Sequence, residues 1–559
     1  MHNRPRHGYW QQSGKMAVAM VFDWCFIDTR FSVRGGIDNA MATVQETASK
    51  QAFATAEAAL DRAVIIHKRP DMSWHDHLVM LLNIGAEIEH GLMVMYLYTA
   101  YSLGGEQVPH EHRALVNRWQ NSILAIAKEE MGHLLTVQNV LTLLGARINL
   151  ERKNFPWDTE YYPFDFKLEP LTLNSLSCYI FAEMPSQDDF VPKPGKKIPK
   201  RFEHFAKDDL AEIVKEASQC VLNGKPHPVS VIYDEIIALV SNPKLIPDSV
   251  FNEDSYPYQA SWDDWGRGYR FRPKMLDADG SKSQTDKPKA ETRAPVVLIE
   301  RMATRTEVVA ALRRISAQGE AMHLQIDDTG EPSHFDRFVE IYDQFKKLAA
   351  KEKLAARHFS PSRRVPINPS TMQFDGNKDG NKDGNKQGKS ESGYIEHRQS
   401  RHWGQLFNLR YRMLLTYLSH TFRLAYSDKA GEPGLRGMVM HKVFGEMYNL
   451  KTIAGLLTAM PLRDAGTPDD PDNLDRAGPP FEMPYSTQLP VSEIDTWRLH
   501  LDLLKSSQNL CGSLAKNGDS NSGPGNAYLE TLMALDRQSM TWIEHIIAGA
   551  GTDERQRNQ

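Results

Sequence analysis

The stretch LAIAKEEMGHLLTVQNVLTLLG, residues 124–145, sets a glutamate and a histidine among leucines and valines. On a helix, positions three and four apart share a face. Glu130 then has Ile123, Ile126, Ala127, Leu134 and Val137 around it, and His133 has Ile126 and Val137. Both polar side chains project into a core. Unpaired buried charge is too costly to keep, so any fold this chain adopts must bring compensating groups to them.

The preceding segment repeats the problem. SWHDHLVMLLNIGAEIEHGLMVMYLYTAYSL, residues 73–103, is apolar nearly all round, the pattern of a central helix, with Ser73 as its N-cap. Glu89 is flanked at helical spacing by Leu82, Gly85, Leu92, Met93 and Tyr96, so it too points inward. GGEQVPHE breaks this helix, and the next is expected over 113–144, with Gly145 as its stop. At ~1.5 Å per residue, Glu89 and Glu130 lie roughly 20 and 25 Å from the shared hairpin end, a similar depth in an antiparallel pair.

A second hairpin follows the same plan. Glu320 continues the stripe Val309, Leu312, Ser316 at the end of one helix, and His334 begins the next, leading into Phe338, Ile341, Tyr342 and Phe345. Thr304 with Glu307, and Ser333 with Asp336, mark the two helix starts.

Three carboxylates and two imidazoles in the middle of a helical bundle call for a cation, because a lone buried carboxylate would sooner take up a proton than stay charged. Carboxylate with imidazole suits iron or manganese, and the absence of thiolate disfavours structural zinc. A Glu from each of two helices with Glu-x-x-His from the others is the ferritin-like di-metal pattern. Each piece has a bland reading. A Glu-x-x-His pair occurs by chance on helix surfaces, Glu89 could be a buried acid bonded to tyrosine, His334 could be a helix-start residue and Glu320 a last-turn surface acid. Tyr96, seven residues on from Glu89 and so on the same face, could line the site, donate a hydrogen bond or simply pack. The consistent faces on two hairpins favour the metal reading.

The fold class expected is mostly α: a ferritin-like four-helix bundle with a large irregular insertion and additional C-terminal helices. Residues 1–72 form an N-terminal segment and helix (41–67), and 73–360 the metal-binding bundle, with a Pro-, aromatic- and Asp-rich insertion at 151–295. Residues 361–400 are a flexible linker or loop, and 401–559 a C-terminal helical region packing on the bundle. Inside the linker, DGNKDGNKDGNK (375–386) begins like a calcium loop. Its twelfth position is Lys386, where a bidentate glutamate is needed, so it reads as a connection.

With 66 Lys and Arg against 71 Asp and Glu, the net charge of −5 gives no reason to expect nucleic acid or an anionic membrane surface. The four cysteines, Cys25, Cys178, Cys220 and Cys511, form no CxxC pair and suit a reducing cytosol. No run reads as long enough to span a membrane. KMAVAMVFDWCFI near the start is interrupted by Asp23 and reads as a buried segment rather than a signal peptide; Met16 is an alternative start.

The stretches AEIEHGLMVMYLYTAYSL, KEEMGHLLTVQNVLTLLGA, FAEMPSQ, ISAQGE and SHFDRFVEI, in that order, resemble the ferritin-like domain of the iminophenyl-pyruvate dimer synthases. Those enzymes couple two amino-acid-derived imines in violacein and indolocarbazole biosynthesis. The resemblance covers roughly residues 75–345, and it implies metal ligands at Glu89, Glu130, His133, Glu320 and His334. It also implies Glu129 and Glu340 as further ligands or supporting groups, and His90 as an orienting one. A symmetric di-iron site wants a second Glu-x-x-His. Glu331-Pro-Ser-His334 has the spacing, but Pro332 and the Ser333 cap put Glu331 ahead of the helix. A mononuclear site of His133, His334 and one glutamate is the alternative.

The function these readings imply is an iron-dependent oxidoreductase using O2 on a small organic substrate, an amino-acid-derived imine in the specific version, within cytoplasmic specialised metabolism. The alternative is a non-catalytic ferritin-like metal-binding or interaction protein.

Overall fold

The computed structural model describes residues 68–157, 161–184, 213, 228–261, 297–320, 332–354, 359–373, 393–426, 434–467, 470–517 and 524–557, with Glu320, Leu354, Asn517, Pro524 and 550–557 in their backbone only. The expected helix at 41–67, the apolar N-terminal segment, the repeat at 375–386 and Glu331 lie outside these residues. Among the described residues the chain is helical, with only isolated β-bridges besides.

Helix α1 (Trp74–Ser102) and helix α2 (His110–Leu143) form the first hairpin. Ser73 caps α1 by accepting the Asp76 amide at 3.0 Å. Beyond α2 the chain turns at Gly145, whose φ of +72° suits glycine. α1 is long and apolar enough to cross a membrane, contrary to expectation, but 67% of that apolar window is buried inside the protein. A helix with protein on every side is apolar all round for that reason.

Helix α3 (Leu173–Ala182) and helix α4 (Ser230–Ser241) come from the span 151–295. α4 packs between α1 and helix α5 (Arg305–Glu320), and α3 packs on helix α6 (His334–Leu354). α5 and α6 touch each other and α2, which completes the wall around a common centre. Their starts are fixed as the sequence suggests. Thr304 and Glu307 exchange backbone-to-side-chain bonds of 3.0 and 3.3 Å, and Ser333 accepts the Asp336 amide at 3.1 Å.

Helices α7 (Arg398–Thr421), α8 (Leu435–Leu457), α9 (Glu493–Asn517) and α10 (Pro524–Arg557) follow. α7 packs on α8 and α9, α9 packs on α10, and α8 touches α1.

The chain at 297–302 runs along the outer face of α2. Thr136 donates to the Leu298 carbonyl at 3.0 Å and Asn139 to the Glu300 carbonyl at 2.8 Å. Gly132 permits this approach, since a Cβ there would stand 2.9 Å from the Leu298 carbonyl oxygen and 2.9 Å from Val297 Cγ1. Gly132→Ala is therefore expected to destabilise by about 1–3 kcal/mol. Gly445→Ala, at a helical position with nothing within 4 Å, should instead stabilise by about 0.5–1 kcal/mol. Thermal unfolding of the two variants checks the contrast.

Candidate metal centre

Five side chains from four elements meet between the helices. α1 supplies Glu89, α2 supplies Glu130 and His133, the residue capping α3 is Glu183, and α6 opens with His334. All five are buried. Glu130 is central. Its Oε2 lies 3.1 Å from His133 Nδ1 and its Oε1 lies 2.7 Å from His334 Nδ1. Glu89 Oε2 stands 3.6 Å from the same His133 nitrogen, and Glu183 Oε2 stands 3.5 Å from the same His334 nitrogen. The two imidazoles stack with centroids 5.3 Å apart.

Each outer carboxylate is held by a tyrosine. Tyr233 of α4 donates its hydroxyl to Glu89, and Tyr96 of α1 donates to Glu183 at 2.6 Å. Each histidine is held from behind through Nε2. His334 Nε2 meets Glu129 Oε2 at 2.8 Å, and His133 Nε2 meets Gln318 Oε1 at 3.0 Å. A carboxylate only accepts, so Nε2 of His334 carries the proton and Nδ1 is turned to the centre. The amide oxygen of Gln318 does the same for His133. Arg337 grips both oxygens of Glu129, at 3.2 Å to Oε1.

The electrostatics show what so many buried charges require. Burial raises the Glu130 carboxyl well above its ordinary range, and the Glu183 charge adds to this against the pull of His334. Burial would lower His334, but Glu130 and the bond to Glu129 carry it up to about 10. His133 is raised against burial by Glu89, and Glu89 is lowered against burial by His133. Burial of Glu129 is outweighed by Arg337 and His334, which hold its carboxyl down at about 2. Without a cation the cluster thus balances its charge with protons. A metal ion would displace protons from these groups.

The donor set fits a metal. Glu130, His133 and His334 each offer a ligand atom within 4.8 Å of the others. Glu130 Oε1 and His334 Nδ1 are buried and face each other at 2.7 Å, and neither makes a well-aligned hydrogen bond among the described residues. Two buried donor atoms this close and this poorly satisfied by hydrogen bonds are what a ligand pair looks like. The adjoining cavity, about 10 Å³, is walled by Leu92, Val229 and Ile315 beside the acids. It has room for about one water-sized body.

Glu89, Glu130, His133 and His334 are thus brought together. The side chain of Glu320 lies outside the described ones. Glu183 and Tyr233 were not picked out from the sequence. The signal for Glu183 was an acid directly after the buried run Ser175–Ala182, inside FAEMPSQ. Tyr96 donates a hydrogen bond, one of its three expected uses. Two expectations from the resemblance are corrected. Glu340 is exposed and accepts from Gln344 at 2.9 Å, and His90 bonds Tyr411 of α7 rather than any member of the cluster.

A helical bundle with acids and imidazoles at its centre defines a class, and residues 82–251 match the ferritin-like family model. The chain is similar to dichlorochromopyrrolate synthase of Lentzea aerocolonigenes, 26% identical over 330 residues, which is 54% of this chain and 28% of that protein. It is also similar to 2-imino-3-(indol-3-yl)propanoate dimerase of Chromobacterium violaceum, 31% identical over 144 residues, 21% of this chain and 14% of that protein. The chain thus spans less than a third of the length of either relative. No solved structure matches it significantly. The resemblance read from the ordered motifs agrees with these relatives.

Proposed function

We propose that the protein is an iron-dependent oxidoreductase that uses O2 to oxidise a small amino-acid-derived imine, joining two of them. The observation that carries this is the convergence of Glu89, Glu130, Glu183, His133 and His334, with Glu130 presenting one oxygen to each histidine. The set divides into two halves that share Glu130: Glu89 with His133, and Glu183 with His334. This division favours two ions over one. Three carboxylates would also leave a single divalent ion over-compensated.

Bound iron would supply one-electron oxidation and a place for O2. The chain's own residues do the rest. Tyr96 and Tyr233 fix the outer carboxylates, Glu129 and Gln318 fix the tautomers of the histidines, and Leu92, Val229 and Ile315 keep water out. The chemistry balances simply. Two α-imino acids, as their enamine tautomers, form one carbon–carbon bond and lose two hydrogens in all. O2 accepts the two electrons and two protons as hydrogen peroxide. The name of the Chromobacterium violaceum relative, a 2-imino-3-(indol-3-yl)propanoate dimerase, supports an imine substrate.

The test supplies iron-loaded protein with an aromatic α-imino acid generated in place by an amino-acid oxidase, scavenging the peroxide of that first step before the protein is added. Oxygen uptake coupled to a product of twice the substrate mass less two hydrogens is expected. Uptake that follows only added Fe(II) would leave a metal store instead. Glu183→Gln is expected to cut the bound metal from about two ions to one while the far-ultraviolet circular dichroism stays unchanged; metal analysis after gel filtration reads the loss.

A further inference from the structure

The two halves of the cluster match closely at every position but one. Each has an outer carboxylate, a tyrosine hydroxyl on that carboxylate, an imidazole facing inward through Nδ1, and one oxygen of Glu130. The difference lies behind the imidazoles. His334 leans on a carboxylate, Glu129, at 2.8 Å, and His133 leans on a neutral amide, Gln318, at 3.0 Å.

That difference has a direction. An imidazole whose far N–H is bonded to a carboxylate is the more basic ligand, because the acceptor's negative charge stabilises the positive charge the ring takes on when it donates to a cation. An amide oxygen offers only a dipole. Both backing groups are buried, so water does not level the contrast. Arg337 grips Glu129 from outside and fixes its position while tempering part of its charge.

Resting on the two-ion reading above, we infer that the two metal positions are unequal by construction: the one at His334 and Glu183 fills first and binds tighter, and the backing pair Glu129 and Gln318 sets the order. These two are positioning residues, since they act through the histidines. Removing the partner of a ligating histidine typically costs 10–100-fold in metal affinity, so the two positions should differ by roughly that factor.

The experiment titrates metal-free protein with Co(II) under argon, reading the visible absorption of bound cobalt and the heat of binding. Wild-type protein is expected to show two equivalents with dissociation constants about ten-fold or more apart. Glu129→Gln should weaken the first equivalent by about ten-fold or more and leave the second nearly unchanged. Gln318→Glu should tighten the second and leave the first. The gain expected from Gln318→Glu keeps the test meaningful if Glu129→Gln, which strips Arg337 of its partner, folds poorly. Two wild-type equivalents of equal affinity, a single equivalent, or a Gln318→Glu variant that binds its second ion no tighter would overturn the inference while leaving metal binding itself standing. Wild-type protein that takes up no Co(II) would overturn the metal reading as well.

Discussion

Replacing His133 and His334 together with alanine is expected to abolish metal binding and with it all metal-dependent stabilisation. Each half of the cluster has one imidazole, and the carboxylates that remain, Glu89, Glu130 and Glu183, are buried with no nitrogen donor among them. A ligand that binds only the folded state stabilises it by RT ln(1 + [L]/Kd), about 4 kcal/mol when the free ion is a thousand times its dissociation constant. Wild-type protein should therefore unfold at a clearly higher temperature with iron than without, and the double variant should show no difference between the two samples. The comparison within each protein matters. Removing two imidazoles also changes the metal-free state, in which the facing acids raise both His133 and His334. A double variant that keeps stoichiometric iron after gel filtration would show that these residues are not the ligands.

The part of the cluster legible in the sequence is the part on long regular helices. Glu89, Glu130 and His133 were found because a 3.6-residue period exposes any polar residue that sits in an apolar stripe, and a hairpin of known rise sets their depth. His334 followed from a cap and a stripe, and the structure places all four together. Glu183 and Tyr233 belong to short helices in an irregular span. Their arrival at the centre depends on how α3 and α4 pack, which no local period encodes. The errors have the same root. His90 follows Glu89 by one residue and so points about 100° away from it, towards α7, where Tyr411 receives it. Glu340 lies six residues after His334, about 120° round the helix, and faces solvent. Sequence adjacency to a ligand, or a place in a matching motif, did not imply a shared face.

The C-terminal helices contain a second buried charge problem, with the opposite solution. Arg410 of α7 is 1% exposed, and its guanidinium reaches Glu446 of α8 at 3.0 Å, Ser507 of α9 at 2.5 Å and Asp536 of α10. One side chain thus ties four helices. Burial raises the Glu446 carboxyl, with Arg410 as the main opposing influence. Arg410→Met would leave Glu446 and Asp536 buried without their counter-charge, and the expected cost is about 3–5 kcal/mol. Urea unfolding followed by circular dichroism reads it, and a change under about 1 kcal/mol would contradict it. The reason is the stranded acids rather than the lost contacts. Arg410→Met combined with Glu446→Leu and Asp536→Leu should therefore recover most of the loss, as well-packed apolar replacements of buried ion networks commonly do. Here the compensating cation is part of the chain, whereas at the Glu130 centre Arg337 reaches only Glu129 and the facing groups are left to protons or a metal. Added Fe(II) should accordingly leave the Arg410→Met deficit as it is, while raising the stability of the intact metal centre.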